Sequence, residues 1–363
     1  KETYKRAIFI HVDSRSRHQR TDVFFYHKPK DQASKRLAKT MKSTFSHKYN
    51  RHQPGRGFSG TVDDRNLYVL RHTTPTSVLV ELGNIQNQYD QQRIILSNNR
   101  QALANWLCEG FVTDYNYYRN RSLGWPASWH PDLRLMMPRK ESGEWVHLDP
   151  LSERGFVQAN AWQATFGLSH DIETLARLMG GNDSLATQLN YVFEMSKNAR
   201  FLSSYVSYAN QPGCSNAHVF SHVGKPWLTQ YWVRQVAKQT YGDITPERGY
   251  GENDEDQGQM AGISALMAMG LFSLDGGSAY NPMYDITSPV FNEITIRLDS
   301  RYYKGNEFKI KVHDNSPENC YIQKASLNGE MYHKYQLPHT VFEQGGLLEL
   351  WLGDKPNKEW GTQ

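Results

Sequence analysis

Three consecutive acidic residues stand immediately before an apolar segment in the last third of the chain. Asp254, Glu255 and Asp256 precede the apolar run 258–267, and the run predicts a helix over 257–269. Carboxylates this close repel one another, which is typical of groups that take up a proton, hold a cation or contact a sugar. An N-cap with more acids than it needs is the alternative, since one or two suffice for a first turn.

A second pair of polar side chains follows two short apolar runs near the start of the chain. His11 comes after 7–10 and Glu81 after 76–80, and both runs predict buried strands. The carboxyl ends of parallel strands meet at one edge of an α/β sheet, so this His and Glu could together bind zinc and move a proton. A structural role for the histidine is the alternative.

A third group of side chains with amide or aromatic character lies in the middle of the chain. Gln158 follows a small-residue turn, and Trp162 comes four residues later, where its ring could form the floor of a sugar site. A buried helix start is the alternative. Asn210 and Gln211 stand before a proline further along.

The elements that must position these residues change in character along the chain. We expect an α/β segment over 1–115, a helical segment over 116–275 and a β-rich segment over 276–363. In the first segment, apolar residues at a spacing of four predict helices over 31–45 and 98–112. The middle segment predicts further helices over 160–166, 171–179, 185–195, 227–239 and 257–269.

Composition and charge bound the class of protein. The 363 residues are 38% hydrophobic and 12% aromatic, which is enough for a substantial core in two or three domains. The net charge of +4 is uneven, because residues 1–60 hold 15 Lys and Arg against 4 Asp and Glu. Such a basic stretch can attract an anionic polymer such as nucleic acid or cell wall, and a solvated charged face is the alternative.

Cysteine usage and hydropathy exclude two further classes. Cys108, Cys214 and Cys320 are odd in number and far apart, so neither a disulfide framework nor a cysteine-based metal site is expected. The longest apolar stretch, 263–274, is too short to cross a bilayer, and we expect no membrane span. The chain begins at Lys1 without a signal peptide, as a mature product or a fragment would.

The segments that carry His11 and Glu81 resemble zinc-dependent N-acetylmuramoyl-L-alanine amidases, which cut peptidoglycan between sugar and peptide. The resemblance covers about residues 5–113 and rests on 9–14, 66–71 and 78–87. It implies that His11 is a zinc ligand and that Glu81 is catalytic.

The resemblance also implies that this amidase-like part is incomplete. The family's other two zinc ligands, a His and a Glu, belong to a segment upstream of His11 that this sequence does not contain. Catalytic zinc normally needs three protein ligands, so we expect an inactive amidase site unless His18, His27 or His47 substitutes.

The later segments, in their order along the chain, resemble family 92 of the glycoside hydrolases, which are calcium-dependent, exo-acting α-mannosidases that invert the anomeric centre. The resemblance runs from about residue 117 to the end, through 155–163, 208–212, 224–227, 254–260, 286–291 and 327–329. It implies part of an (α/α)6 toroid, a glycan substrate ending in α-mannose, a calcium ion, and a periplasmic, cell-surface or secreted location.

The same resemblance implies roles for individual residues. Asp254 and Asp256 stand at the positions of the family's two base candidates, and Trp162 becomes a sugar platform. Gln158 stands where the family has a catalytic Glu, and an amide cannot deliver a proton. A phosphate leaving group does not need that proton, so a mannosyl phosphodiester becomes a candidate substrate. Near the scissile bond, Asn210-Gln211-Pro212 replaces the usual Asn-Glu-Pro, which changes the sugar contacts.

The sequence thus predicts a mixed fold and inverting hydrolysis of terminal α-mannosyl linkages, possible on mannosyl phosphodiesters because of Gln158. A zinc-dependent peptidoglycan amidase is one alternative. A catalytically inactive carbohydrate-binding chain, or a chimera of two gene fragments, is the other. No nucleic-acid partner is expected.

Overall fold

The structure is a computed structural model that describes residues 5–14, 22–55, 57–243, 245, 258–277, 279 and 281–362. The chain divides into two compact units, one that extends to Gly124 and one that begins at Trp125. The acidic triplet Asp254, Glu255 and Asp256 lies outside the described residues, as does His18. Within the described residues, no helix has the length and apolar character needed to cross a membrane.

The first unit contains a four-stranded sheet of mixed direction. Its strands are β1 (Arg6–Asp13), β2 (Phe24–His27), β3 (Thr61–Asp64) and β4 (Thr76–Asn84), and its helices are α1 (Gln32–His52), α2 (Tyr68–Arg71), α3 (Gln88–Ile95) and α4 (Ser97–Ser122). The strand order is β1-β4-β2-β3. Strands β1 and β4 are parallel, as predicted. Strand β2 runs antiparallel to β4, so the expectation of a parallel sheet holds only in part.

Helix α1 shows why the sequence folds locally as it does. The Asp31 side chain accepts hydrogen bonds from the backbone N–H groups of Ala33 and Ser34 and so caps the helix. Leu37, Met41 and Phe45, spaced four apart, are fully buried, and each contributes about 1.5–3 kcal/mol of burial free energy. The helix predicted over 31–45 is therefore present, and it continues to His52.

The first part of the second unit is mainly helical. Its described residues form two short strands, β5 (Trp129–His130) and β6 (Leu135–Met136), and the helices α5 (Ala161–Phe166), α6 (Ile172–Leu178), α7 (Asn182–Ser196), α8 (Val219–His222), α9 (Pro226–Gln239) and α10 (Gln259–Met269). All five predicted helices are present. In the core, Phe193 of α7 packs against Trp232 of α9 with ring centroids 4.9 Å apart.

The rest of the second unit is β-rich, as predicted. Its strands are β7 (Leu271–Phe272), β8 (Met283–Ile286), β9 (Glu293–Arg297), β10 (Glu307–His313), β11 (Tyr321–Leu327), β12 (Glu330–Met331), β13 (Gln336–Pro338) and β14 (Gly346–Gly353), with helix α11 (His339–Glu343) before the last strand. The largest sheet has the order β12-β11-β14-β10-β9. Phe308, Ile310 and Val312 alternate along β10 and are buried, as a strand with one face in a core requires.

A buried histidine makes the stability of the second unit depend on pH. The ring of His218 stacks on Phe272 with centroids 3.8 Å apart, and its Nδ1 lies 3.9 Å from an Asp285 carboxylate oxygen. Neither ring nitrogen has a hydrogen-bond partner among the described residues. Burial lowers the pKa of His218 to about 4, the Asp285 carboxylate opposes this shift, and the neighbouring His222 adds to it.

We expect the free energy of unfolding to fall as the pH drops from 6.5 towards 4. In this pH window His218 takes up a proton in the unfolded state and stays neutral in the folded state. Protonation therefore stabilises the unfolded state by about 3 kcal/mol relative to the folded state. Above pH 6.5 both states are neutral and the effect vanishes. Urea unfolding between pH 4 and 8 measures it. The His218→Phe variant should lose this part of the dependence of the unfolding free energy on pH. The control His147→Gln, at an exposed histidine, should keep it. Equal pH dependence in the wild type and both variants would contradict the assignment.

Candidate functional site

The segment that enters α5 and the loop before residue 212 are joined by a hydrogen bond between two predicted site residues. Asn210 Nδ2 donates to the backbone carbonyl oxygen of Gln158 at 3.1 Å. The Asn210 Oδ1 accepts from the backbone N–H of Gln211 at 2.9 Å and starts a short 3₁₀ turn over Gln211–Gly213. Gln158, Asn210 and Gln211 thus lie side by side, although 52 positions separate the first two.

The backbone around Gln158 is held in an uncommon conformation. Gln158 has φ of 54°, in the left-handed region that non-glycine residues seldom occupy. Two residues on, Asn160 caps α5 by accepting from the Gln163 N–H at 3.0 Å. Asn160 Nδ2 and Gln163 Nε2 both donate to the Ser204 carbonyl oxygen, at 3.0 and 2.7 Å. The backbone is therefore fixed by these contacts, while the Gln158 side chain is exposed.

An aromatic surface stands next to this hydrogen-bonded segment. Trp162, in the first turn of α5, packs against Tyr205 with ring centroids 5.3 Å apart. Tyr191 also contacts Tyr205, with ring centroids 6.1 Å apart, and is 47% exposed. Burial raises the pKa of the Tyr205 hydroxyl, and Tyr191 adds to that shift. Trp162 is half-buried, so part of its ring remains open to a ligand.

Sequence reasoning missed Tyr191 and Tyr205. Tyr205 belongs to a loop without periodicity, and Tyr191 follows the polar side of α7, so neither position carries a pattern that marks a site. The only available signal was the high aromatic content of this part of the chain.

Near the acidic triplet, the described chain resumes at Gly258. This glycine is the N-cap of α10 and has φ of 95°, a left-handed conformation that glycine adopts without strain. The acids predicted as bases stand two and four positions before Gly258 in the sequence, outside the described residues. The interpretation of the triplet as an N-cap therefore stays a prediction.

His11 and Glu81 lie opposite each other on neighbouring parallel strands. They are register partners in β1 and β4, so their side chains start from adjacent positions on one face of the sheet. His11 is exposed and Glu81 is half-buried. Both strands run further than predicted, to Asp13 and Asn84. The predicted pair is thus brought together within the strands rather than at their ends.

These donors do not make up a zinc site within the described part of the chain. There, no three His, Cys, Asp or Glu side chains group closely enough to hold a metal ion. Catalytic zinc is held by three protein ligands, and the His11 and Glu81 pair supplies fewer. We therefore derive no step through zinc.

Two protein families match different parts of the chain. Residues 96–354 match the family described as "Glycosyl hydrolase family 92 catalytic domain". The chain belongs to glycosyl hydrolase family 92. Residues 1–112 match a different family, N-acetylmuramoyl-L-alanine amidase. The two matches overlap in α4, and together they give the chain the composition of a chimera, as the two resemblances in the sequence implied.

The chain is also similar to a curated protein that is described as a glycosidase. A protein from Arthroderma benhamiae described as an "uncharacterized secreted glycosidase" is 26% identical over 281 residues, which are 70% of this chain and 34% of that protein. The chain thus spans about a third of the length of this curated relative.

Among solved structures, a family 92 α-mannosidase from Bacteroides thetaiotaomicron has a TM-score of 0.62 at 22% identity, over 76% of this chain and 34% of its own. A family 92 inverting mannosidase from the same organism has a TM-score of 0.59 at 26% identity, over 77% of this chain and 38% of its own. The first likeness shows the fold alone, and the second adds sequence identity.

Proposed function

We propose that this chain hydrolyses terminal α-mannosyl linkages with inversion at the anomeric carbon, and that its substrates are mannosyl phosphodiesters. The observation that carries the proposal is the hydrogen bond from Asn210 to Gln158. It joins the backbone of Gln158, whose exposed side-chain amide stands in the position of the family's catalytic acid, to the loop predicted to contact the sugar. Helices α5–α10 are proposed to form part of an (α/α)6 toroid around this site.

The proposed reaction needs one carboxylate and no proton donor. Asp254 or Asp256 accepts a proton from water as the water oxygen attacks the anomeric carbon from the side opposite the leaving group. The bond between that carbon and the leaving oxygen breaks, and its electron pair leaves with the phosphate. The product is a phosphate monoester anion, which is stable without protonation. The Gln158 amide N–H donates a hydrogen bond to the leaving oxygen and adds no charge that would compete at the site.

The choice of leaving group follows from the amide at position 158. A sugar alkoxide is strongly basic, so its departure is slow unless an acid protonates it, and general acid catalysis is worth about 10²–10⁴-fold. Gln158 has no acidic proton, and its side chain is exposed. A phosphate leaving group removes that requirement.

Calcium has no assigned role in this reaction. The family is generally calcium-dependent, and calcium prefers several oxygen ligands, chiefly carboxylates. Over the ranges that the structure describes, no group of three His, Cys, Asp or Glu side chains could hold a metal ion. The residues present there do not fit a calcium site, so no step is routed through the ion.

A location outside the cell agrees with this substrate class. The curated relative from Arthroderma benhamiae is described as secreted, and glycans that end in mannose or carry mannosyl phosphate occur on surfaces and in walls. We propose a periplasmic, cell-surface or secreted location on that basis.

A second candidate function, peptidoglycan amide hydrolysis, is favoured by the register pairing of His11 with Glu81. The match of residues 1–112 to the N-acetylmuramoyl-L-alanine amidase family also supports peptidoglycan as a substrate. The incomplete set of metal donors makes it the weaker candidate, because the family's reaction depends on zinc.

Rate measurements on two substrates test the main proposal. The full chain should cleave a mannosyl phosphodiester about 10²-fold or more faster, in kcat/KM, than α-1,2-mannobiose, since only the second substrate needs the absent acid. A preference for mannobiose would contradict the role given to Gln158. Failure on both substrates would instead support the inactive carbohydrate-binding alternative.

A further inference from the structure

The outer face of α1 carries a row of lysines that the proposed hydrolase does not use. Lys35, Lys39 and Lys42 follow one another at spacings of four and three, which places them on one side of the helix. Lys35 and Lys39 are exposed, and Lys42 is half-buried. The 21 residues of α1 include no Asp or Glu, so nothing on the helix itself offsets these charges.

Two other cations of α1 form ion pairs with acidic residues of α4. The Arg36 guanidinium lies 3.3 Å from a carboxylate oxygen of Asp114, and Lys48 Nζ lies 2.6 Å from Glu109. Both acids belong to α4, on the flank of α1. Lys35, Lys39 and Lys42 form no ion pair within the described ranges. Three cations are thus left without an ion pair in the described part of the chain, on a helix where Arg36 and Lys48 each have one.

Neutral donors continue the row towards the end of the helix. A shallow depression of about 430 Å³ lies beside Lys39 and Lys42, and it is also lined by Ser43, Ser46, His47 and Asn50. Hydroxyl and amide groups next to ammonium groups suit the oxygen atoms of phosphate or sulfate better than apolar ligands. The depression is open to solvent, and its lining residues follow one another along α1, so it fits a chain that lies along the helix better than a compact molecule.

We propose that this face, the α1 lysine row, binds a linear phosphodiester polymer that carries no bases. Along the helix axis the lysines are spaced by about 6 and 4.5 Å, so an extended polyanion lying along α1 meets them in turn. Proteins that bind single-stranded nucleic acid add aromatic platforms for the bases. The aromatic residues of α1, Phe45 and Tyr49, are both buried. The face therefore favours phosphates joined by sugars or polyols.

This inference goes beyond the proposed hydrolase and does not depend on it. It concerns a different compact unit, and polymer binding would persist in a chain without any glycosidase activity.

Binding of poly(glycerol phosphate) to the full chain at several salt concentrations tests the proposal. The triple variant Lys35→Gln, Lys39→Gln, Lys42→Gln should bind at least about 10-fold more weakly at low salt, and the slope of log K against log salt should fall by about 2 to 3. The matched control Lys304→Gln, Lys355→Gln, Lys358→Gln removes the same charge from exposed positions and should retain most of the affinity. Circular dichroism verifies that both variants are folded.

Three outcomes would overturn the assignment. The wild-type chain could fail to bind the polymer, or both triple variants could lose affinity equally, which would show a general charge effect. Single-stranded DNA of equal charge could also bind as tightly as poly(glycerol phosphate), which would assign the face to nucleic acid.

Discussion

Replacing Gln158 by Glu is expected to raise kcat/KM for α-1,2-mannobiose about 10²–10⁴-fold, the usual contribution of a general acid. The carboxylic acid would supply the proton that a sugar alkoxide needs in order to leave. The mutation changes only the exposed side chain, because Asn210 binds the backbone carbonyl oxygen of residue 158. The local fold should therefore survive.

On a mannosyl phosphodiester the same Gln158→Glu variant should show no gain. Its leaving group does not need a proton, and an ionised glutamate would repel the phosphate. The matched control is Gln101→Glu, which adds the same charge at an exposed position that belongs to none of the proposed sites. An equal rise in mannobiose hydrolysis in both variants would sink the assignment of residue 158.

Replacing the base is expected to have the second large effect. Either Asp254→Asn or Asp256→Asn should lower kcat on the mannosyl phosphodiester about 10²–10⁴-fold, because the water molecule loses its proton acceptor. KM should change much less, since the carboxylate acts mainly in the transition state.

The middle acid of the triplet provides the control for this experiment. Glu255→Gln removes one negative charge from the same segment and should reduce kcat less than 10-fold, because Glu255 matches neither base position of the family. If Glu255→Gln alone abolished hydrolysis, the assignment of the base to Asp254 or Asp256 would be wrong.

Local patterns in the sequence predicted most of the helices, and the structure shows why. In α1, Asp31 and the apolar residues Leu37, Met41 and Phe45 act within one helix, so a short window contains both the cap and the buried stripe. The predicted start of α10 at 257 differs from the observed start at Gln259, because the left-handed Gly258 sets the boundary.

Long-range pairing was harder to predict. The sequence predicted that His11 and Glu81 lie on neighbouring parallel strands, and they do. It did not predict that β2 runs antiparallel to β4, because nothing in the short run 24–27 indicates the direction of that strand. Strand direction and register depend on partners distant in the chain.

The sequence predicted which residues belong to the candidate site, but it did not predict how they are arranged. Gln158, Trp162, Asn210 and Gln211 were named from the sequence, but the Asn210 to Gln158 bond connects positions 52 apart. The left-handed backbone conformation of Gln158 could not be predicted from the sequence either, because glutamine has no preference for positive φ.

The stereochemistry of the released sugar tests the central claim most directly. Proton NMR during cleavage of an α-mannosyl phosphodiester by the full chain would show which anomer of mannose forms first. Our account predicts β-mannose, since water attacks opposite the leaving group and inverts the anomeric carbon. Initial release of α-mannose, or no release at all, would contradict it.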